Sequence, residues 1–309
     1  MIRAKVFRST GSWYKVLTET GEEVQCRLAG QFRMKGIKNT NPIAVGDWVH
    51  FELGKDGSGY IHRLEARENY IIRRSVNLAK RTHIIAANVD QSLLIISLVP
   101  PRTLLGFVDR FLVTAEAYSI PSLIVVNKQD LHTEEEQEEL QYVRTAYEDA
   151  GYEVLVCSAQ SGLGISTLKE RLAHKVSMLS GNSGVGKSSL INAVDPTLDL
   201  RTKEISKAYQ LGQHTTTFAE LFPLQFGGQI IDTPGIKSFG LIDIEREELG
   251  HFFPEIFSLA ASCKFHNCLH LAEPGCAVRK AYEEQKLAPT RYENYLKILE
   301  GDEDESVYR

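Results

Sequence analysis

Residues 181–188 read Gly181-Asn182-Ser183-Gly184-Val185-Gly186-Lys187-Ser188, a full G-x-x-x-x-G-K-[ST] match. Its glycines let backbone N–H groups curl around a polyphosphate, and the helix that follows adds positive potential at its N-terminus. Lys187 is expected to reach the β- and γ-phosphates and the Ser188 hydroxyl to ligate Mg²⁺, while Ser189 carries the loop into the helix. The context agrees: residues 176–179 read as a strand, and residues 189–193 continue as a helix.

Two further motifs concern the same ligand. Ile230-Ile231-Asp232-Thr233-Pro234-Gly235 is a strand ending in D-x-x-G. Asp232 is expected to hold Mg²⁺ through water, and the Gly235 N–H to meet the γ-phosphate. Asn127-Lys128-Gln129-Asp130 is N-K-x-D at the end of an apolar run. A carboxylate at Asp130 accepts from guanine N1–H and the exocyclic amine. Adenine offers neither, so it would leave a buried acceptor unpaired. Asn127 is expected to brace the loop and the Lys128 stem to cover the base. Ser158-Ala159, after a third apolar run, is expected to offer a backbone N–H to guanine O6.

Between the phosphate loop and Asp232 lies Gly212-Gln213-His214-Thr215-Thr216-Thr217. A switch threonine that senses Mg²⁺ and the γ-phosphate belongs in this interval. Thr215, Thr216 and Thr217 are equivalent candidates on sequence grounds, and His214 is a candidate for positioning water. The expected catalytic set is Lys187, Thr216 and His214. The residue after Gly235 is Ile236, where Ras-like enzymes have a water-orienting glutamine. An apolar side chain cannot do that, so slow intrinsic hydrolysis is expected.

A separate chemistry is written in Cys263-Lys-Phe-His266-Asn-Cys268-Leu-His270-Leu-Ala-Glu-Pro-Gly-Cys276. Cys263, Cys268, His270 and Cys276 suit tetrahedral Zn²⁺ as a closed, structural Cys₃His site, with His266 a rival ligand. The other cysteines are Cys26 and Cys157. In a cytosolic chain, such a cluster reads as metal binding rather than disulfides.

These residues need elements to hold them. The chain has 309 residues, 43% of them hydrophobic and 24% charged, which excludes disordered, collagen-like and coiled-coil classes and favours two or three domains. Residues 1–65 carry short apolar runs separated by turn signals, about five strands that fit an OB-fold barrel, with an SH3-like barrel as the alternative. Residues 66–84 read as a polar connector. Beyond it, the buried strand patterns near 92–98, 121–126 and 152–157 alternate with helical stretches near 106–117 and 133–150, giving an α/β parallel sheet. Residues 245–259 and 278–299 have helical periodicity around the cysteine cluster. The expected architecture is multidomain α/β: an OB-fold RNA-binding domain (1–66), a basic linker (67–84), a circularly permuted P-loop GTPase domain (85–242) and a zinc-binding helical domain (243–309).

The permutation follows from motif order. A conventional small GTPase runs P-loop, switch threonine, D-x-x-G, N-K-x-D, S-A, whereas here N-K-x-D and S-A come first. The same sheet results if the chain is circularly permuted. The segment after Asp232 then leads into the C-terminal region.

Charge divides along the chain. Residues 1–84 carry 15 Lys and Arg against 8 Asp and Glu, a net of +7; the remainder carries 20 against 32, a net of −12. A basic module joined to an acidic body suggests contact with a polyanion. The longest apolar stretch, 93–99, is broken by Ser97 and falls well short of the ~20 residues of a membrane span. No signal-peptide core opens the chain, so a cytoplasmic location without membrane contact is expected.

The barrel, the N-K-Q-D, S-A-Q, G-N-S-G-V-G-K-S-S, G-Q-H-T-T-T and D-T-P-G motifs in that order, and the Cys-x₄-Cys-x-His-x₅-Cys tail together resemble one family over essentially the whole chain. It is the circularly permuted, ribosome-small-subunit-dependent GTPases of the RsgA/YjeQ type. The resemblance implies a GTPase that binds the small ribosomal subunit and its 16S rRNA and couples hydrolysis to late subunit maturation. It also implies GTP/GDP, Mg²⁺ and one Zn²⁺ as bound species, with His214 as activator of water; a monomer is expected. The strand before the phosphate loop, His174-Lys-Val-Ser-Met-Leu-Ser180, is less apolar than that pattern. The alternative is a zinc-containing RNA-binding protein with a merely structural nucleotide site. An ATP-dependent kinase is disfavoured by N-K-x-D.

Overall fold

The computed structural model describes residues 1–30, 42–74, 82–198, 219–232 and 244–301. Their contacts define two compact units: Met1–Gln91 with Lys169–Ser180 and Asp195–Ile236, and Ser92–Leu168 with Gly181–Val194 and Lys237–Arg309.

In the first unit, strands β1 (Ile2–Ser9), β2 (Tyr14–Thr18), β3 (Glu23–Leu28), β4 (Trp48–Leu53) and β5 (Gly59–Leu64) close into a barrel. The pairing runs β1–β2–β3–β5–β4 and back to β1, antiparallel throughout except for β3–β5. This five-stranded closed order is the OB-fold arrangement and excludes the SH3-like alternative. Alternating inward positions supply the core: Ala4, Val6, Tyr14, Val16, Cys26, Val49, Phe51 and Ile61 are buried together. Gly59 opens β5 because a Cβ there would lie 2.3 Å from the Cys26 sulfur.

The segment read as a connector instead contains a hairpin, β6 (Tyr70–Arg74) paired with β7 (Thr82–Ala87). Amid the segment's many basic residues in the sequence, Ile71, Ile84 and Ala86 are buried. Ahead of the hairpin, Arg67 makes two 2.7 Å hydrogen bonds to the buried Asp47 carboxylate.

The same unit holds β11 (Val176–Ser180), β12 (Glu220–Pro223) and β13 (Gln229–Asp232). β11 runs parallel to β13 with Leu179 opposite Asp232, and β12 is antiparallel with Glu220 opposite Asp232. β1 continues this ladder, with Arg8 opposite Glu220. Despite its weaker apolar pattern, all five residues of β11 are buried, and Ser177 accepts a hydrogen bond from the Gln91 amide at 2.9 Å.

The second unit is built on three parallel strands, β8 (Gln91–Ser97), β9 (Ser122–Asn127) and β10 (Glu153–Val156). β8 is buried at every position, as its unbroken apolar run requires. The register pairs Ser97 with Asn127 and Val126 with Val156. The N-K-Q-D and S-A motifs therefore start where adjacent strands end, the edge at which α/β sheets bind ligands. Helices α1 (Leu105–Ala117) and α2 (Glu134–Asp149) follow β8 and β9, and α3 (Ile165–Leu172) follows β10. A Thr133/Glu136 capping box starts α2. The phosphate loop leads into α4 (Lys187–Val194). The C-terminal part carries α5 (Pro254–Ala260), α6 (Ala277–Glu283) and α7 (Pro289–Glu300). The helical periodicity over 245–259 is only partly realised, since Pro254 starts α5 and a 3₁₀ turn at Leu249–Phe252 precedes it.

Candidate nucleotide site and metal centre

Asn127 ends β9 almost fully buried. Its amide donates to the Val185 carbonyl at 2.9 Å, and its oxygen accepts from the Ala159 N–H at 3.3 Å. One side chain thus ties the N-K-Q-D loop to the phosphate loop and to the S-A loop. Gly186 leaves room for it: with φ at +94°, a Cβ there would lie 2.4 Å from the Asn127 amide nitrogen.

The N-K-Q-D and S-A loops are similarly fixed to each other. The Ser158 hydroxyl donates to Asp130, and Ser158 in turn accepts from the Ser161 N–H at 3.0 Å. The Gln129 N–H bonds the Cys157 carbonyl at 3.2 Å, holding the two loops together. Lys128 is in the left-handed region at φ 68° and donates from Nζ to the Pro100 carbonyl at 3.1 Å. Burial lowers its pKa. Sequence reasoning missed this Pro100–Pro101 loop, which also touches the phosphate loop: a Cβ on Gly184 would lie 2.8 Å from the Pro101 ring. Its proline pair was the available signal.

The phosphate loop runs from Gly181, whose φ of +138° and closeness to the Ile95 carbonyl admit only glycine. Lys187 Nζ arches back over the loop to the Gly181 and Asn182 carbonyls at 2.7 and 2.8 Å. Ser188 and Ser189 lie in the first turn of α4. A tightly packed glycine loop that runs straight into a helix N-terminus suits a polyphosphate. Asp232 closes β13. His214, Thr215, Thr216, Thr217, Gly235 and Ile236 lie outside the described residues.

The ligating atoms of Cys263, Cys268, His270 and Cys276 all lie within 4.8 Å of one another. His270 Nδ1 is 3.4 Å from the Cys276 sulfur and 3.7 Å from that of Cys263. Ligands of a tetrahedron with Zn–S near 2.3 Å stand about 3.8 Å apart, so this donor set fits zinc. The exposed His266 is not among the four. Burial pushes the Cys268 thiol up to about 12, with Cys276 adding to the rise. A bound divalent cation reverses that cost, since it is the thiolate that ligates. Burial also lowers the His270 pKa, which keeps the imidazole neutral for ligation. The Ala277 and Arg279 N–H groups point at the Cys263 and Cys276 sulfurs at 3.3 and 3.4 Å, while the Tyr292 hydroxyl and the Leu269 N–H–Glu273 bond hold the ligand loop.

Residues 64–242 match the RsgA GTPase family, and residues 4–61 match the RsgA N-terminal domain. The chain belongs to the RsgA GTPase family. Among curated relatives, one from Christiangramia forsetii is 52% identical over 98% of this chain and 97% of its own length. One from Bacteroides fragilis strain YCH46 is 50% identical over 100% and 99%. Both are named small ribosomal subunit biogenesis GTPase RsgA. The crystal structure of YjeQ from Thermotoga maritima aligns with a TM-score of 0.81 at 36% identity, covering 97% of this chain and 98% of that one. YloQ, a circularly permuted GTPase, aligns at 0.76 and 34%, covering 99% and 96%. As a member of the RsgA GTPase family, this chain is a GTP hydrolase of permuted topology, and its nucleotide is GTP or GDP with Mg²⁺.

Proposed function

We propose that this GTPase binds the small ribosomal subunit through its 16S rRNA and couples GTP hydrolysis to late maturation of that subunit. The observation that carries the proposal is full-length similarity, at 50–52%, to relatives named for small-subunit biogenesis. The charge division supports it: the +7 N-terminal region offers phosphates an electrostatic footprint that the −12 remainder does not. In this reading the barrel occupies 1–66, the β6–β7 hairpin follows it, the GTPase domain runs on to 242 and the zinc domain occupies 243–309, and the protein acts as a cytoplasmic monomer. No helix among the described residues is long and apolar enough to cross a membrane.

Residue roles follow from chemistry. Asp130 reads guanine, Asn127 braces, Lys128 and Gln129 frame the base, and the Ala159 N–H meets O6. The loop 181–187 cradles the phosphates, with Lys187 neutralising developing charge. Ser188 and one of Thr215–Thr217 ligate Mg²⁺, and Asp232 holds it through water. Gly235 senses the γ-phosphate, and His214 positions water. The Cys₃His site holds one structural zinc ion.

A switch works only through differential affinity. The GTP-bound protein should therefore co-sediment with purified small subunits more tightly than the GDP-bound form, and binding should weaken with salt. Arg27, Lys55 and Arg63 are exposed on the barrel. The triple Glu variant at these positions should bind about tenfold or more weakly. Its salt slope should be shallower by about one for each phosphate it no longer neutralises. Equal sedimentation of native and variant protein would show that the barrel is not the docking module.

A further inference from the structure

A buried charge cluster joins α1, α5 and α7, and none of its members belongs to the nucleotide motifs or to the Cys₃His set. Arg291 of α7 is 1% exposed and Asp109 of α1 is fully buried. Arg291 Nη1 donates to Asp109 Oδ1 at 2.6 Å, while Nε and Nη2 donate to the two oxygens of Glu255 in α5 at 2.7 and 3.0 Å. Asp109 also accepts from the Tyr147 hydroxyl at 2.8 Å and from the Asn294 amide at 2.6 Å. The guanidinium stands 4.6 Å from the Phe253 ring centre. One cation is thus shared by two carboxylates on different elements.

Stability alone does not call for this arrangement, since well-packed apolar residues often hold such a junction equally well. A guanidinium forked onto one carboxylate and bonded to another instead fixes position and direction. Apolar surfaces tolerate small slides; this cluster does not, because a shift of α1 without α7 leaves a buried carboxylate short of its partner.

Both ends of this junction reach a site. Toward the nucleotide, α1 is preceded by the loop joining it to β8. That loop is closed by Thr103 N–H to the Ser97 carbonyl at 2.8 Å and by Ser97 N–H to the Thr103 hydroxyl at 3.1 Å. Lys128 is bonded to Pro100, and Gly184 packs on Pro101. Toward the metal, the Tyr292 and Tyr295 hydroxyls of α7 donate to the carbonyls of His270 and Leu269 at 2.6 and 3.0 Å.

We propose that Arg291, held between Asp109 and Glu255, couples guanine-nucleotide occupancy to the zinc module through the 97–103 loop and α1. The coupling runs by a route that does not use the segment after Asp232. The proposal rests on the nucleotide and zinc assignments above. Coupling free energy is reciprocal, so nucleotide must alter the hold on zinc as zinc alters the hold on nucleotide.

The test uses full-length, zinc-loaded protein. Zinc release to a chromogenic chelator is timed without nucleotide, with GDP and with a non-hydrolysable GTP analogue, and fluorescent GDP binding is titrated in parallel. In native protein, nucleotide should change the release rate by about fivefold or more. Asp109→Asn keeps the shape and leaves the Arg291–Glu255 fork intact. It should reduce that dependence to under about twofold while GDP affinity stays within a few-fold of native. Glu255→Gln, which opens the other side, should do the same and serves if Asp109→Asn does not fold. Thr290→Ala removes the exposed hydroxyl–hydroxyl hydrogen bond between Tyr142 of α2 and Thr290 of α7, and should leave the dependence intact. A folded Asp109→Asn protein with native nucleotide dependence overturns the proposal, as does native protein that binds GDP with no effect on zinc release. Native protein that binds no guanine nucleotide overturns the functional reading as well.

Discussion

Asp130→Asn should turn this guanine-specific site into a xanthine-preferring one. In the proposed reading the wild-type carboxylate accepts from two guanine donors. Xanthine replaces the exocyclic amine with a carbonyl, to which an amide can donate. The structure explains why the exchange should act on the base and not on the fold. The Ser158 hydroxyl already donates to Asp130, and an asparagine oxygen accepts that bond equally well, leaving its N–H₂ turned to the base. Sites built to pair a substrate's polar groups reject the unpaired analogue by roughly 10⁴–10⁵-fold. A shift of about 10³ or more in the GDP-to-XDP affinity ratio is therefore expected in competition binding. An unchanged ratio in folded variant protein would remove Asp130 from the base site.

Removing zinc should unfold the C-terminal helices while nucleotide binding persists. Leu249, Phe253, Ile256, Val278, Leu287, Tyr292, Tyr295 and Leu299 form a small core that includes Cys276 of the Cys₃His cluster. Structural zinc contributes on the order of 10 kcal/mol or more to folding such a module. Asn127, Asp130 and Lys187, the proposed nucleotide residues, lie on other elements: β9, the turn after it and the start of α4. Chelation should abolish amide-exchange protection in Pro254–Glu300 and change GDP affinity only by the reciprocal coupling factor. Loss of all GDP binding in step with zinc would contradict a separate structural site.

Much of this was legible in the sequence because the chemistry is local. The phosphate loop, N-K-Q-D and the Cys₃His run each lie within about a dozen residues, and strands buried on both faces announce themselves as unbroken apolar runs. The β6–β7 pair was hidden because basic residues interrupt its short apolar runs in the sequence. The Asp109–Arg291 junction was not legible at all. Its partners are 182 positions apart, and a single aspartate in a helix reads as a surface charge until the fold buries it. The Pro100–Pro101 loop announced only a turn, through its proline pair, since its role depends on which loops the sheet brings beside it.

The barrel is joined to the strands that follow the switch region. β1 pairs with β12 through Arg8 and Glu220, and Lys5 Nζ donates to Gln229 of β13 at 3.0 Å. Truncating the barrel would therefore disturb the GTPase strands, so surface charge reversal is the cleaner probe of docking.

The central claim is that this is a GTPase whose activity answers to the small subunit. Steady-state phosphate release from GTP, measured with the full chain alone and with purified small subunits, tests it most directly. Ile236 stands where a water-orienting glutamine is usual, so the isolated protein should turn over slowly, and small subunits should accelerate it by about 10²-fold or more. Equal rates with and without small subunits, or equal stimulation by large subunits, would contradict the account.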